Sequence, residues 1–122
     1  MTFRIALGRC DCRPPYRTTV DEFVCKELRE KLANLRAPDD LAAVPNEFSE
    51  EQIVEGRHVT FVTYKIGIRS GETLVVCQAF VHSWSRPTYL SLGAIGRLYA
   101  EGLLVKDGRF EPAPDELMWQ FR

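Results

Sequence analysis

Residues 57–69 and 72–84 are two runs rich in β-branched and aromatic side chains, separated only by Ser70-Gly71. Such side chains suit a pleated, half-buried strand, and a two-residue link containing glycine is a tight connection between antiparallel neighbours. The pattern predicts one long hairpin on which the remaining chain must pack. With Ser70 and Gly71 as the loop, Arg69 opposes Glu72 and every cross-strand pair sums to 141. Because side chains alternate along a strand, this register assigns the faces. Val62, Tyr64, Ile66, Ile68, Val75, Cys77, Ala79 and Val81 fall on an almost purely apolar face, the expected core side. Val59, Phe61, Thr63, Lys65, Leu74, Val76, Gln78, Phe80, His82 and Trp84 fall on a mixed face, to be covered by a second layer or left as a binding surface.

The flanks supply shorter elements. Phe3, Ile5 and Leu7 alternate with Thr2, Arg4 and Ala6, predicting a strand that Gly8 ends. Pro14 and Pro15 enforce a loop. Thr18 or Thr19 can cap a helix over 19–36, with Asp21 and Glu22 in its first turn and Val20, Phe23, Val24, Leu28, Leu32 and Leu35 at helical spacing. Ala37-Pro38-Asp39-Asp40 stops it, and a turn follows around Leu41–Val44. A capping serine and early acids predict a short helix over Ser49–Glu55, ended by Gly56. Leu92, Ile95, Leu98 and Tyr99 predict a second main helix over 89–101, terminated by Gly102. Asp107-Gly108 then turns a second, short hairpin over 103–111. The expected fold is α+β: an antiparallel sheet built around the 57–84 hairpin, with the 19–36 and 89–101 helices packed on one face.

At 122 residues and 14.0 kDa the chain suits a single domain, 1–122, with one core. Hydrophobic residues at 45% and charged residues at 27% exclude disorder and fibrous repeats. A net charge of -1 removes the global positive field that nonspecific nucleic-acid binding uses. The N-terminus lacks the apolar run of a signal peptide, and no stretch has the length of a membrane helix. The expectation is a cytoplasmic protein with free thiols at Cys10, Cys12, Cys25 and Cys77.

Chemistry-bearing patterns are sparse. Cys10-Asp11-Cys12 offers two soft ligands for a metal such as zinc but has no second ligand pair, so surface thiols are the simpler reading and no cofactor is expected. Under the 141 register His82 opposes Val59 and His58 opposes Ser83, which sends the imidazoles to opposite faces. A His58/Ser83 pair near Glu55 is the best hydrolytic or ligand-binding arrangement available. Glu47, Glu50, Glu51 and Glu55 form an acidic run, read as a solvated face. Gly93-Ala94-Ile95-Gly96-Arg97 after a hairpin resembles the G-x-x-G loop of a type II KH domain, which implies a clamp on a nucleic-acid backbone. Residues 92–110 resemble the last helix and wing of a winged helix.

Phe80, His82, Trp84, Arg86 and Tyr89 leave the mixed face together, with Lys65 and Gln78 as a polar rim. Trp, Tyr and Arg dominate binding hot spots. The leading expectation is therefore a nonenzymatic protein-binding domain, of inhibitor, immunity or adaptor type, with a protein partner or a second copy of itself. The alternatives are a nucleic-acid binder using Arg86, Arg97, Lys106 and Arg109, and the His58/Ser83 site.

Overall fold

A computed structural model describes residues 4–10, 12–16, 18–82 and 94–118. The elements run β1 Arg4–Cys10, α1 Thr19–Ala33, α2 Pro38–Ala43, β2 Glu47–Val54, β3 Arg57–Arg69, β4 Glu72–His82, β5 Ala94–Lys106, β6 Arg109–Pro112 and α3 Asp115–Met118. The fold is α+β. One six-stranded sheet has the order β1-β5-β4-β3-β2, with β6 also on β5. The ladders from β2 to β6 are antiparallel; β1 alone runs parallel to its neighbour, along Ala94–Tyr99, while β6 takes the far half of the same edge.

Local chemistry explains the boundaries. The Thr18 hydroxyl accepts from the Asp21 N–H at 3.2 Å and caps α1. Proline opens α2, and the Asp40 carboxylate accepts the N–H groups of Arg36 and Ala37, each at 3.0 Å. Asp107 and Gly108, at φ 51° and 78°, form the expected left-handed turn between β5 and β6.

Three expectations are corrected. The helix over 89–101 does not exist where the chain is described: residues 94–106 are a long strand inserted between β1 and β4. Ala, Leu, Arg and Glu favour a helix locally, but pairing on both sides satisfies the backbone of β5, and tertiary pairing overrides propensity. Gly96 also presses against the Val81 carbonyl, where a Cβ would collide with backbone, so this close approach needs glycine. Second, 49–54 belongs to strand β2 and not to a helix; Glu55 and Gly56, at φ 50° and 79°, turn it into β3. Third, β1 continues past Gly8, with a register irregularity between Ala6 and Gly8.

The central hairpin also differs in one residue. Arg69 pairs with Glu72 as expected, but a bulge between Gly67 and Arg69 shifts every later pair, from Gly67 with Thr73 to Val59 with Val81, to a sum of 140. A one-residue slip exchanges the faces of a strand. Val59 and Phe61 therefore join Val75, Cys77, Ala79, Val81 and Tyr99 under α1, whose Val20, Val24, Cys25, Leu28 and Leu32 complete the main core. Val62 and Tyr64 move to the opposite side, where Leu74, Val76, Ala100 and Met118 of α3 form a second cluster. The residues of the expected mixed face are thus divided between the two sides of the sheet, and among the described residues α1 is the one long helix, packed on the side of Val59 and Phe61.

Candidate functional site

β2 is the end strand of the sheet, and among the described residues no strand pairs with its outer edge. Its alternation is lopsided. Glu50 and Val54 turn toward α1, where Lys31 donates to Glu50 at 2.6 Å and Val54 packs on the main core. Glu47, Ser49, Glu51 and Ile53 lie on the other face and are all exposed, Ile53 to 71%. Exposed Glu55, in the following turn, accepts a 2.6 Å hydrogen bond from Thr19. The result is an eight-residue open edge carrying carboxylates and one bare isoleucine.

Beside it lies a histidine pair. Under the shifted register His58 faces His82 one step beyond the Val59–Val81 pair, and their rings stand edge to face, centroids 5.0 Å apart. The sequence expectation of opposite faces is corrected by the bulge. Thr60 Oγ1 lies 2.9 Å from His82 Nε2, Phe80 stacks edge-on to His82 at 4.7 Å, and His58 Nε2 lies 3.4 Å from Glu51 Oε2. His58 Nδ1 is buried and has no hydrogen-bond partner among the described residues. Both imidazoles are 8% exposed and Thr60 is buried, so the hydroxyl–imidazole pair is closed to a substrate.

On the other face a cavity of about 240 Å³ opens beneath the end of α1. Lys31 of α1 and Leu35 just beyond its end wall one side, and Ala43, Val44 and Pro45 wall the other. Its floor is the sheet: Phe48, Thr63 and Cys77 stand in register across β2, β3 and β4, with Val75 beside them. Lys65 ties α2 down by donating to the Leu41 carbonyl at 3.3 Å. Burial pushes the Cys77 thiol above its ordinary value, against the opposing pull of Thr63, 3.6 Å away, and of the Lys31 charge. No sequence signal marks this cavity, because its walls come from five separate segments.

Among the described residues, those singled out in the sequence fall in separate surroundings. Phe80 is 2% exposed and His82 is also buried, so neither is a surface anchor; Gln78 is half-buried on their strand. Lys65 belongs to the α1 face, held by Leu41, and is no part of a rim around them. Trp84, Arg86, Tyr89 and Ser83 lie outside the described residues, as does Gly93 of the G-x-x-G match. Gly96 and Arg97 lie within β5, which has neither the loop of a KH motif nor the recognition helix of a winged helix. Arg97 is committed to buried Asp21, with its Nε and Nη2 at 3.0 and 2.9 Å from one carboxylate oxygen. Lys106 pairs with Glu72 at 3.7 Å, and Arg109 is exposed at the far turn. Cys12 is buried, not a surface thiol; its hydrogen bond with Cys25 and its burial hold it far above the usual thiol range. Among the described residues no group of three or more His, Cys, Asp or Glu is placed to hold a metal, and no helix is long and apolar enough to cross a membrane.

No protein-family model, no curated protein and no solved structure matches this chain. Function therefore rests on the geometry alone.

Proposed function

We propose that this protein is a nonenzymatic protein-binding domain whose partner adds an extended, basic segment to the open edge of β2. The observation that carries the reading is the β2 edge, unpaired among the described residues, beside Ile53, which is 71% exposed. An open strand edge presents backbone donors and acceptors ready for another strand, and side-chain pairing then selects the sequence.

Charge selects the occupant. Glu47 and Glu51 project from the exposed face at alternate-pair spacing, while Glu50 is already matched by Lys31. Two β2 strands paired antiparallel about Glu50 or Glu51 would set that glutamate against its own copy, which is destabilising. The edge thus disfavours self-pairing and favours a segment with Lys or Arg opposite Glu47 and Glu51 and an apolar side chain opposite Ile53. This replaces the anchor set expected from the sequence while keeping its class of function.

The test is selection from a displayed library of random extended peptides, followed by amide hydrogen exchange of the complex. Alternating basic sequences should be enriched, binding should slow exchange across 47–54, and Glu51→Lys with Ile53→Lys should weaken it by at least about tenfold. Enrichment without basic bias, or protection confined to other elements, would overturn the reading.

A further inference from the structure

We propose that the cavity beneath α1 is a binding site for a small, uncharged, mostly apolar molecule bearing one hydrogen-bonding group, of the size and kind of phenol or benzyl alcohol. The site is independent of the β2 edge as a protein-binding surface, although Phe48 of β2 forms part of its wall.

Size comes first. A dry cavity of about 150 Å³ accepts benzene, so the 240 Å³ here admits one ring with a short substituent. It lies below the range of about 300–1,000 Å³ typical of drug-sized sites, so a ring-sized molecule fills it. The walls set polarity. Val44, Val75 and Phe48 offer apolar surface, and the polar groups are the Lys31 ammonium, the Thr63 hydroxyl and the Cys77 thiol.

The charge balance fixes the ligand's net charge. Lys31 is the charged side chain in the lining, and it is matched by Glu50 at 2.6 Å. An anionic ligand would have to compete with Glu50 for that ammonium, and a cationic one would meet it. A neutral hydroxyl avoids both costs and can accept from the remaining Lys31 N–H groups or pair with Thr63. Cys77 is a neutral thiol, so the site binds and does not form a covalent adduct.

The experiment is an amide and methyl NMR titration of the full chain with phenol, benzyl alcohol, benzoate and benzylamine, each to about 10 mM, a weak-binding limit near 3 kcal/mol. The neutral pair should give saturable shifts centred on Val44, Thr63, Val75 and Cys77, at least about tenfold tighter than the charged pair. Thr63→Val and Lys31→Met, which keep side-chain bulk, should each weaken the neutral ligands about three- to tenfold. Lack of saturation at those residues, saturation centred elsewhere, or benzoate or benzylamine binding as tightly as phenol overturns the proposal; unchanged affinity in both variants does so too. Because the readout is local to the cavity, its outcome is separate from that of peptide selection at β2.

Discussion

His58 and His82 face each other across β3 and β4 with ring centroids 5.0 Å apart, and their ring nitrogens meet different surroundings. His82 has Thr60 at 2.9 Å, whereas His58 Nδ1 is buried and unbonded among the described residues while its Nε2 reaches Glu51. The pair therefore divides into a histidine that stabilises and one that costs.

That asymmetry predicts opposite signs for one substitution. His58→Leu removes a buried polar atom that has no partner, and its effect on unfolding free energy should lie between zero and a gain of about 1 kcal/mol. His82→Leu strands the buried Thr60 hydroxyl and should cost about 1–3 kcal/mol. Urea unfolding of the two variants measures the contrast. A loss of more than about 1 kcal/mol in His58→Leu would mean that Nδ1 has a partner after all.

Asp21, which has no solvent exposure, joins the first turn of α1 to Arg97 on β5. It also accepts from the Thr18 hydroxyl at 3.1 Å, so one carboxylate serves the helix cap and the sheet. Asp21→Asn should cost about 3 kcal/mol, the low end for a broken buried pair because the Arg97 side chain keeps 18% exposure. Pairing Asp21→Leu with Arg97→Met should recover most of that loss in thermal unfolding. If the double variant is as unstable as the single, the pair stabilises more than an apolar contact of its size would.

The parts of this fold that were legible are those with local causes. The described part of the 57–84 hairpin, the Thr18 cap and the Asp107-Gly108 turn are each written into a few adjacent residues, whereas the expected helix over 19–36 ends earlier, at Ala33, and Pro38 opens the next one. β5 was not, since Ala94–Glu101 reads as a helix until β1 and β4 supply its hydrogen bonds. The bulge beside Gly67 left no local trace either, and that single residue decided which side of the sheet His58, Phe61 and Lys65 occupy. The candidate sites inherit the same limit. The exposed isoleucine and acids of β2 were visible as residues, but the edge they occupy and the cavity beneath α1 depend on long-range pairing.

Gly102 illustrates a contact that only glycine permits. A Cβ there would run into the Met118 sulfur and the Ala113 methyl, and its carbonyl accepts the Ala113 N–H at 3.1 Å. Gly102→Ala should therefore cost about 1–3 kcal/mol by overpacking. Hydrogen exchange at the Ala113 amide should speed up as the 113–118 segment lifts. Met118→Ala alone should cost about 2–5 kcal/mol, and combining it with Gly102→Ala should cost less than the sum, because the shortened side chain makes room for the methyl. Strict additivity would show that the two positions do not share that space.

Burial of Cys77 makes stability depend on alkaline pH. Its thiol is held above the ordinary value of 9.0 chiefly by burial, outweighing the Thr63 hydrogen bond and the Lys31 charge that favour thiolate. Below that value the thiol is protonated in both folded and unfolded chains, and its contribution is whole. As pH rises past it the unfolded chain releases the proton while the folded chain holds it, so stability falls with pH until the raised folded value is passed. Unfolding free energy should thus be level to about pH 8 and decline above it. Cys77→Val should shallow the decline without abolishing it, because Cys12 is raised in the same direction. In parallel, the Cys77 peptide should react with iodoacetamide far more slowly than a free cysteine at pH 8 in the folded chain and at the ordinary rate in urea. An unchanged slope in Cys77→Val, together with rapid labelling of the folded protein, would place the thiol in contact with solvent.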